Sequence, residues 1–311
     1  MILSVNLNPC IDKSVTVENL RLGQLNRVIP GRSDAAGKGI NVAMAVKQLG
    51  GESFCIGFNY SENGRLITNA LDRAGILHDL VMVLGVLRTN LKLYDTDTGL
   101  YTDLNEPGSF VPEDSIADLR FRIRRRAERC RYVTLSGSVP RGVPEDIYKT
   151  IISDLKGMNV KTVLDAEGEL LRQGIEAKPW LIKPNLTEME TLFGRTYQRE
   201  EEIIEDARKI TAQGVNLVCV SMGALGAILC SGLNVWKAYP VEDLDAKGYQ
   251  GAGDSMVAGI CLASEKGLDL PTMLRYGAAA ASASIIQEGT QMCTKLDFEA
   301  MLPRVKVEKI W

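Results

Sequence analysis

A chain of 311 residues with 36 basic and 39 acidic side chains carries a formal charge of −3, so it lacks the global cationic field that draws nucleic acid, and it is long enough to bury a large core. No run of 18 apolar residues occurs, and the start, MILSVNLNPCID, has neither the basic opening nor the long apolar stretch of a signal peptide; no membrane span and a cytoplasmic location are therefore expected. Seven scattered cysteines without a C-x-x-C pair point to reduced, buried thiols, and the single histidine, His78, leaves Ser-His-Asp or Cys-His catalysis dependent on one ring.

Residues 2–7, ILSVNL, predict a first strand that ends at NPCID, which sets Asp12 just past a strand end. Open α/β sheets bind ligands there, so Asp12 is either a ligand for a hydroxylated molecule or an ordinary turn aspartate. Val15 to Ser33 is short-patterned and polar. AAGKGIN then opens a helix packed through Ile40, Ala43, Met44 and Leu49. This stretch is not a P-loop, because Gly31 stands one residue too far from Gly37, and Gly39 occupies the place of the magnesium-binding hydroxyl. It leaves Lys38 and Asn41 at a helix start, suited to gripping sugar hydroxyls or equally to a glycine-rich turn with a solvated lysine.

Strand and helix alternate through Gly85, as in a parallel sheet. Residues 86–108 break the rhythm: Leu87, Thr89, Leu91 and Leu93 alternate with Arg88, Asn90, Lys92 and Tyr94 up to the turn DTDTG. An antiparallel hairpin with one polar face follows, either a cover over an anionic substrate or a solvated hairpin. The charge run RFRIRRRAERCR reads as an amphipathic helix, since Ile116, Leu119, Ile123, Ala127 and Cys130 form one apolar stripe and leave most of the arginines solvated. Further strands end at GSVPRGVP, at Asp165 and at KPN. Asn185 and Glu188 span a strand-to-helix junction, placed to order water around magnesium and also to cap the helix.

GYQGAGDSMVAG, from Gly248 to Gly259, carries the sharpest chemical signal. Gly251 and Gly253 allow a tight turn, and the free N–H groups of the helix they open form an anion hole. Asp254 beside that hole is placed either to accept a proton from an attacking hydroxyl or merely to cap the helix.

AGKGIN, LSGSVPRGVP, KPNLTE, VSMGALGA and GYQGAGDSMVAG, in this order along nearly the whole chain, resemble the ribokinase-like (PfkB) sugar kinases. NPCID, the pair Asn26 and Arg27, RTN at Arg88 to Asn90 and DAEGELL look most like the branch of 1-phosphofructokinase and tagatose-6-phosphate kinase. The resemblance implies one α/β domain over residues 1–311, a three-layer α/β/α fold with a mostly parallel central sheet. It also implies a small β-sheet lid, from insertions at about 12–34 and 86–108, and a homodimer formed through the lid. ATP and Mg2+ are the implied cofactors and a sugar phosphate the implied partner. Asp254 matches the catalytic base, and Gly251, Ala252 and Gly253 match the anion hole. Asp12, Gly37, Lys38 and Asn41 match sugar-binding positions; Arg88, Ser138 and Arg27 match those near the existing phosphate. Lys183, Asn185, Ser221, Gly223 and Gly226 align with the ATP side, and Glu188 with an organiser of magnesium through water. Ala36, Leu87 and Gln250 depart from the commoner family residues without removing a reacting group. The expected reaction is phosphorylation of a primary hydroxyl of a ketohexose monophosphate, fructose 1-phosphate first and tagatose 6-phosphate as the alternative. Rival readings are a non-catalytic sugar or nucleotide sensor on the same fold and a kinase for an uncharged sugar or nucleoside.

Overall fold

The computed structural model describes residues 1–289 and 291–311. Strand β1 (Ile2–Asn6) leads through a short bend into β2 (Cys10–Val17) and β3 (Ile29–Ala36), after which come α1 (Lys38–Gln48), β4 (Ser53–Glu62), α2 (Arg65–Arg73) and β5 (Leu77–Val86). The hairpin β6 (Arg88–Asp95) and β7 (Leu100–Asn105) precedes α3 (Glu113–Ala127), β8 (Tyr132–Ser136), α4 (Ile147–Asp154), β9 (Lys161–Asp165), α5 (Gly168–Glu176) and β10 (Leu181–Ile182). Then follow α6 (Leu186–Phe193), α7 (Glu200–Ala212), β11 (Leu217–Ser221), β12 (Ala227–Ser231), β13 (Asn234–Ala238), α8 (Ala252–Glu265), α9 (Leu270–Ile285), α10 (Lys295–Met301) and β14 (Val307–Lys309).

Ten strands form one sheet in the order β14-β13-β12-β11-β10-β9-β8-β1-β4-β5, parallel from β11 through β5 and antiparallel at the β12 to β14 edge. Strands buried on both faces need no alternation, and β1 is buried at all five positions. Two apolar clusters mark the two covered faces. One holds Leu3 and Val5 of β1 with Ile67 of α2, Ile116 of α3 and Tyr148 of α4. The other holds Ile2 with Val46 of α1, Val257 of α8 and Leu274 of α9. The result is the expected α/β/α layering, and all seven cysteines are free and buried within the chain.

The remaining strands make a four-stranded sheet, β3-β2-β6-β7. Asp12 therefore lies inside β2 rather than in a turn, because the bend at Leu7 and Asn8 returns the chain to extended backbone by Cys10. Residues 15–33, patternless in the sequence, include most of β3, an edge strand so exposed that it needs no apolar alternation. Register makes the small sheet two-faced. Asp12 pairs with Asn90 and Ser14 with Lys92 on one side, while Val15, Val17 and Leu93 pack together on the other. The stripe foreseen in α3 is buried at Ile116, Leu119, Ile123 and Ala127. Its arginines are engaged more than expected: Arg120 pairs with Asp154, Arg122 with Asp79 and Asp118, and Arg126 stacks 3.9 Å over Phe54.

Small residues let α8 and α9 cross closely. A Cβ on Gly259 would lie 2.6 Å from the carbonyl oxygen of Tyr276, a backbone atom that cannot swing aside. Alanine is the better helix former by about 1 kcal/mol, so Gly259→Ala would stabilise an open site. Overpacking of about 1–3 kcal/mol reverses the sign here. Urea denaturation of Gly259→Ala should show a lower midpoint, and a raised midpoint would contradict this crossing.

Candidate active site

Polar side chains stand in one row along the carboxyl ends of the parallel strands. Asn6 ends β1, Ser136 ends β8 and Asp165 ends β9; register sets Asn6 beside Ser136 and Ser136 beside Asp165. Lys183 follows β10, and Asn185 bridges to Ser221 at the end of β11. Helices leave the sheet from this edge and point their N-termini toward it, which is why open α/β sheets bind ligands here. Buried side-chain atoms without a hydrogen-bond partner gather at the same edge, namely Asn6 Nδ2, Ser136 Oγ, Asp165 Oδ2, Asn8 Oδ1 and Arg88 Nε. Each such atom costs about 1–3 kcal/mol, a cost that a polar ligand would relieve.

Asp165 is the hub of the row. Its Oδ1 lies 3.3 Å from both Lys38 Nζ and Lys183 Nζ. Burial alone would raise its pKa, but Lys183 and then Lys38 more than offset that and hold the carboxyl below its usual range. For Lys38, burial disfavours the charge, while Asp165, Asp254 and Glu188 together hold the ammonium above its ordinary value. Gly37 makes this placement possible. Its φ of 130° suits glycine, and a Cβ there would sit 2.6 Å from Asn6 Oδ1.

Asp254 lies in the first turn of α8 and is 4 % exposed. Gly251 precedes that turn in a left-handed conformation, φ 76°, and the helix begins at Ala252 and Gly253. The backbone N–H groups of this turn have no partner within the helix. Asn41 Nδ2 donates to Asp254 Oδ2 at 2.8 Å and orients the carboxylate. Burial, reinforced by Asp165 and opposed by Lys38, Asn41 and Lys183, pushes its pKa up to about 6. A carboxyl poised near neutrality next to unpaired amides can take a proton from a hydroxyl while the amides hold an anion.

A cavity of about 760 Å3 opens beside this turn. Lys183, Asn185, Ser221, Gly223, Gly226 and Gly253 are among its lining, and Val241, Leu244, Ala278, Ala281 and Ile285 line it as an apolar slot. Polar lining next to an anion hole together with an apolar slot matches a nucleoside polyphosphate. Asn185 and Glu188 cap α6 reciprocally, each bond 2.8 Å, so capping and an approach to the cavity coexist. Burial raises the pKa of Glu188, with Lys38 opposing.

Across the cluster, the small sheet presents Asp12, which accepts from Asn90 Nδ2 at 3.0 Å and from Cys10 Sγ at 3.4 Å. Arg88 donates to the carbonyl oxygens of Glu106 at 2.7 Å and Asn8 at 3.0 Å, and Asn8 Nδ2 reaches Ser138 Oγ at 3.1 Å. Arg27 stands apart, exposed in the segment between β2 and β3. Sequence reasoning passed over Asp165, Asn90 and the apolar slot. Asp165 carried a usable signal, an acid ending a predicted strand, the same signal that singled out Asp12. The slot had none, because its residues come from segments some 40 positions apart.

The buried carboxylate, the unpaired helix amides and the cavity with both polar and apolar lining have the parts of a phosphoryl-transfer site on an α/β/α frame. The chain belongs to the pfkB family of carbohydrate kinases, whose family description matches residues 5–296. It is similar to the 1-phosphofructokinase of Borreliella burgdorferi, 32 % identical over 311 residues, covering 100 % of this chain and 99 % of that protein. The 1-phosphofructokinase of Bacillus subtilis is 33 % identical over 315 residues, with both chains covered fully. Among solved structures, phosphofructokinase-2 from Escherichia coli in complex with substrates and products superposes with a TM-score of 0.91 at 26 % identity, covering 97 % of this chain and 98 % of that one.

If Asp254 is the base, it must be ionised, so kcat/KM should fall about tenfold per pH unit below about 6 and level off above it. The folded value also lies above the ordinary ~3.9 of an unfolded aspartate. Asp254 thus contributes most to stability below pH ~4 and loses that contribution as pH rises through about 6. Asp254→Asn, which removes the charge, should melt no lower than the wild type at pH 7.5 while kcat drops about 10²-fold or more. Near-normal turnover by a folded Asp254→Asn chain would remove Asp254 from this role.

Proposed function

We propose that this protein is an ATP- and magnesium-dependent kinase that transfers a phosphoryl group to a primary hydroxyl of fructose 1-phosphate, giving fructose 1,6-bisphosphate. The observation that carries the reading is Asp254, oriented by Asn41 and raised to about 6, at the mouth of the anion hole formed by Gly251, Ala252 and Gly253. The names of the relatives 32 % and 33 % identical to this chain support the choice of acceptor. None of the described helices is long and apolar enough to cross a membrane.

In this reading ATP lies in the cavity with its base in the apolar slot and its phosphates toward Lys183, Asn185 and the α8 amides. Asp12, Gly37, Lys38 and Asn41 hold the sugar. Arg88 and Ser138 hold its existing phosphate; Arg88 suits the task because its partners are neutral oxygens, which leave its charge uncompensated. Arg27 would join them only if its segment approached the ligand. Asp254 takes the hydroxyl proton, and the helix amides stabilise the oxygens of the transferring group. Among the described residues no cluster of three His, Cys, Asp or Glu side chains could cage a metal. The unpaired Asp165 Oδ2 and the nearby Glu188 nevertheless fit an ion held chiefly by phosphate oxygens and water. Magnesium bound in this way supplies neutralisation of the phosphate charge.

The small sheet acts as a lid in this account. Its face bearing Asp12, Asn90 and Arg88 closes over the sugar and excludes water that would otherwise hydrolyse ATP. Its other face leaves Leu100 and Leu104 more than half exposed, and a homodimer would bury them through paired lids. Light scattering should give twice the 34.0 kDa chain mass, with Leu104→Glu shifting the population to monomer; a monomeric wild type would sink the dimer.

A coupled ADP-release assay over fructose 1-phosphate, tagatose 6-phosphate, fructose 6-phosphate and free fructose tests the function. Fructose 1-phosphate should show the highest kcat/KM. A tenfold preference for tagatose 6-phosphate, about 1.4 kcal/mol in transition-state binding, would overturn the substrate and leave the mechanism standing. Loss of a charge-assisted contact costs about 1.5–3 kcal/mol, so Arg88→Ala should raise KM for the sugar phosphate about 10-fold or more while KM for ATP holds.

A further inference from the structure

Arg88 and Ser138, the two side chains of the proposed phosphate subsite, come from different sheets and meet at Asn8. This residue lies in the bend between β1 and β2, is 5 % exposed and precedes Pro9. A residue before proline is held to extended backbone, so the direction of the Asn8 carbonyl is set locally. That carbonyl accepts from Arg88 Nη2 at 3.0 Å. The side-chain amide makes two further contacts: Nδ2 donates to Ser138 Oγ at 3.1 Å and to the carbonyl oxygen of Pro107 at 3.3 Å.

The Pro107 contact decides which way the amide is turned. A carbonyl oxygen can only accept, so the atom facing it is the NH2 group, and the same NH2 group faces Ser138. Ser138 Oγ is therefore an acceptor toward Asn8. Its own proton is left over, and among the described residues no group receives it. A phosphate oxygen beside the Arg88 guanidinium is a strong acceptor for that proton. Packing alone does not account for an asparagine at this position. Its Oδ1 is buried without a partner, and a Cβ on Gly108 would lie 2.6 Å from that oxygen; an apolar side chain would escape the cost of a buried, unpaired acceptor.

We infer that Asn8 is a positioning residue for phosphate recognition: its amide holds the Ser138 oxygen as an acceptor and so turns the Ser138 proton to the sugar's phosphate, while its backbone oxygen holds the Arg88 guanidinium. The inference rests on the kinase reading and deepens it by naming the residue that orders the acceptor's anionic end. Asn8 acts through Ser138 and Arg88 and not on the transferring group. Pro107 completes the arrangement. By taking the second amide hydrogen it disfavours the opposite orientation, in which an oxygen would face Ser138 and draw the hydroxyl proton away from the ligand.

The test is isothermal titration of fructose 1-phosphate into the wild type, Asn8→Ala, Ser138→Ala and the double variant. Ser138→Ala should weaken binding about tenfold or more and Asn8→Ala about fivefold. The double variant should bind no more than about twofold more weakly than Ser138→Ala, because effects that pass through one hydrogen bond do not add. A packing role would instead give the same loss from Asn8→Ala in both backgrounds. Affinity for a non-hydrolysable ATP analogue with magnesium should hold throughout. Asn8→Ser, whose hydroxyl is too short to reach Ser138, takes the place of Asn8→Ala in the cycle if the latter does not fold. Asn8→Asp keeps the shape but turns an oxygen to Ser138, so it should bind fructose 1-phosphate more weakly than Asn8→Ala, the reverse of the order that packing gives. Equal losses in both backgrounds, or unchanged affinity in Asn8→Ala, would overturn the inference. Unchanged affinity in Ser138→Ala overturns it too, by removing Ser138 from the subsite. Phosphorylation of fructose 1-phosphate by the same wild-type preparation separates any of these failures from failure of the kinase reading.

Discussion

Asp165, buried, binds two lysines, one of them buried with it, and much of the site is arranged to tolerate that. A carboxylate 1 % exposed beside an ammonium 4 % exposed is stable only as a pair; removing one member of such a buried pair costs about 3–5 kcal/mol, because the other charge stays behind. The pair fixes where Lys183 faces the cavity and, through Lys38, where α1 begins. It also bears on Asp254, because the charge of Asp165 adds to burial in keeping that carboxyl hard to ionise. The site is thus a balanced set of opposite charges in a poorly solvated place, with one member left near the edge of ionisation.

Balance of this kind needs a rigid frame. The parallel strands supply it by placing Asn6, Ser136 and Asp165 at fixed register along one edge. The close crossing of α8 and α9 supplies the rest, since the helix carrying Asp254 cannot slide where Gly259 meets the backbone of Tyr276. The small sheet is different in kind. Its own apolar cluster is a few side chains around Val15, Val17 and Leu93, Ile11 and Ala35 pack against the main core, and polar contacts such as Arg88 to Asn8 and Tyr101 to Lys247 attach it further. A small cluster with polar tethers suits the lid proposed for this sheet.

The comparison of sequence with structure follows the same division. Elements whose partners are local were legible: the stripe of α3, the hairpin β6 and β7, the glycines opening α8, and the cap joining Asn185 to Glu188. Their physics is spacing along one segment, and spacing is visible in a string of letters. The motif order added the family, because five short stretches each bound to a local backbone requirement are hard to reproduce by chance. The extent of β3 was not legible, since an exposed edge strand leaves no apolar period to read.

By itself, then, the sequence determined the periodic elements, the tight turns that only glycine can make, the identity of Asp254 as an acid at a helix start, and the family that unites them. Tertiary structure alone decided which groups share an electric field. Asp165 and Lys38 are 127 residues apart and Asn41 and Asp254 are 213 apart, yet, together with burial, these groups bear on the protonation of the candidate base, and Asn41 sets its aim. A pKa depends on burial and on distances through space, and neither is a property of neighbours along the chain. The apolar slot and the Tyr101 contact belong to the same class, for each exists only after distant strands and helices have packed.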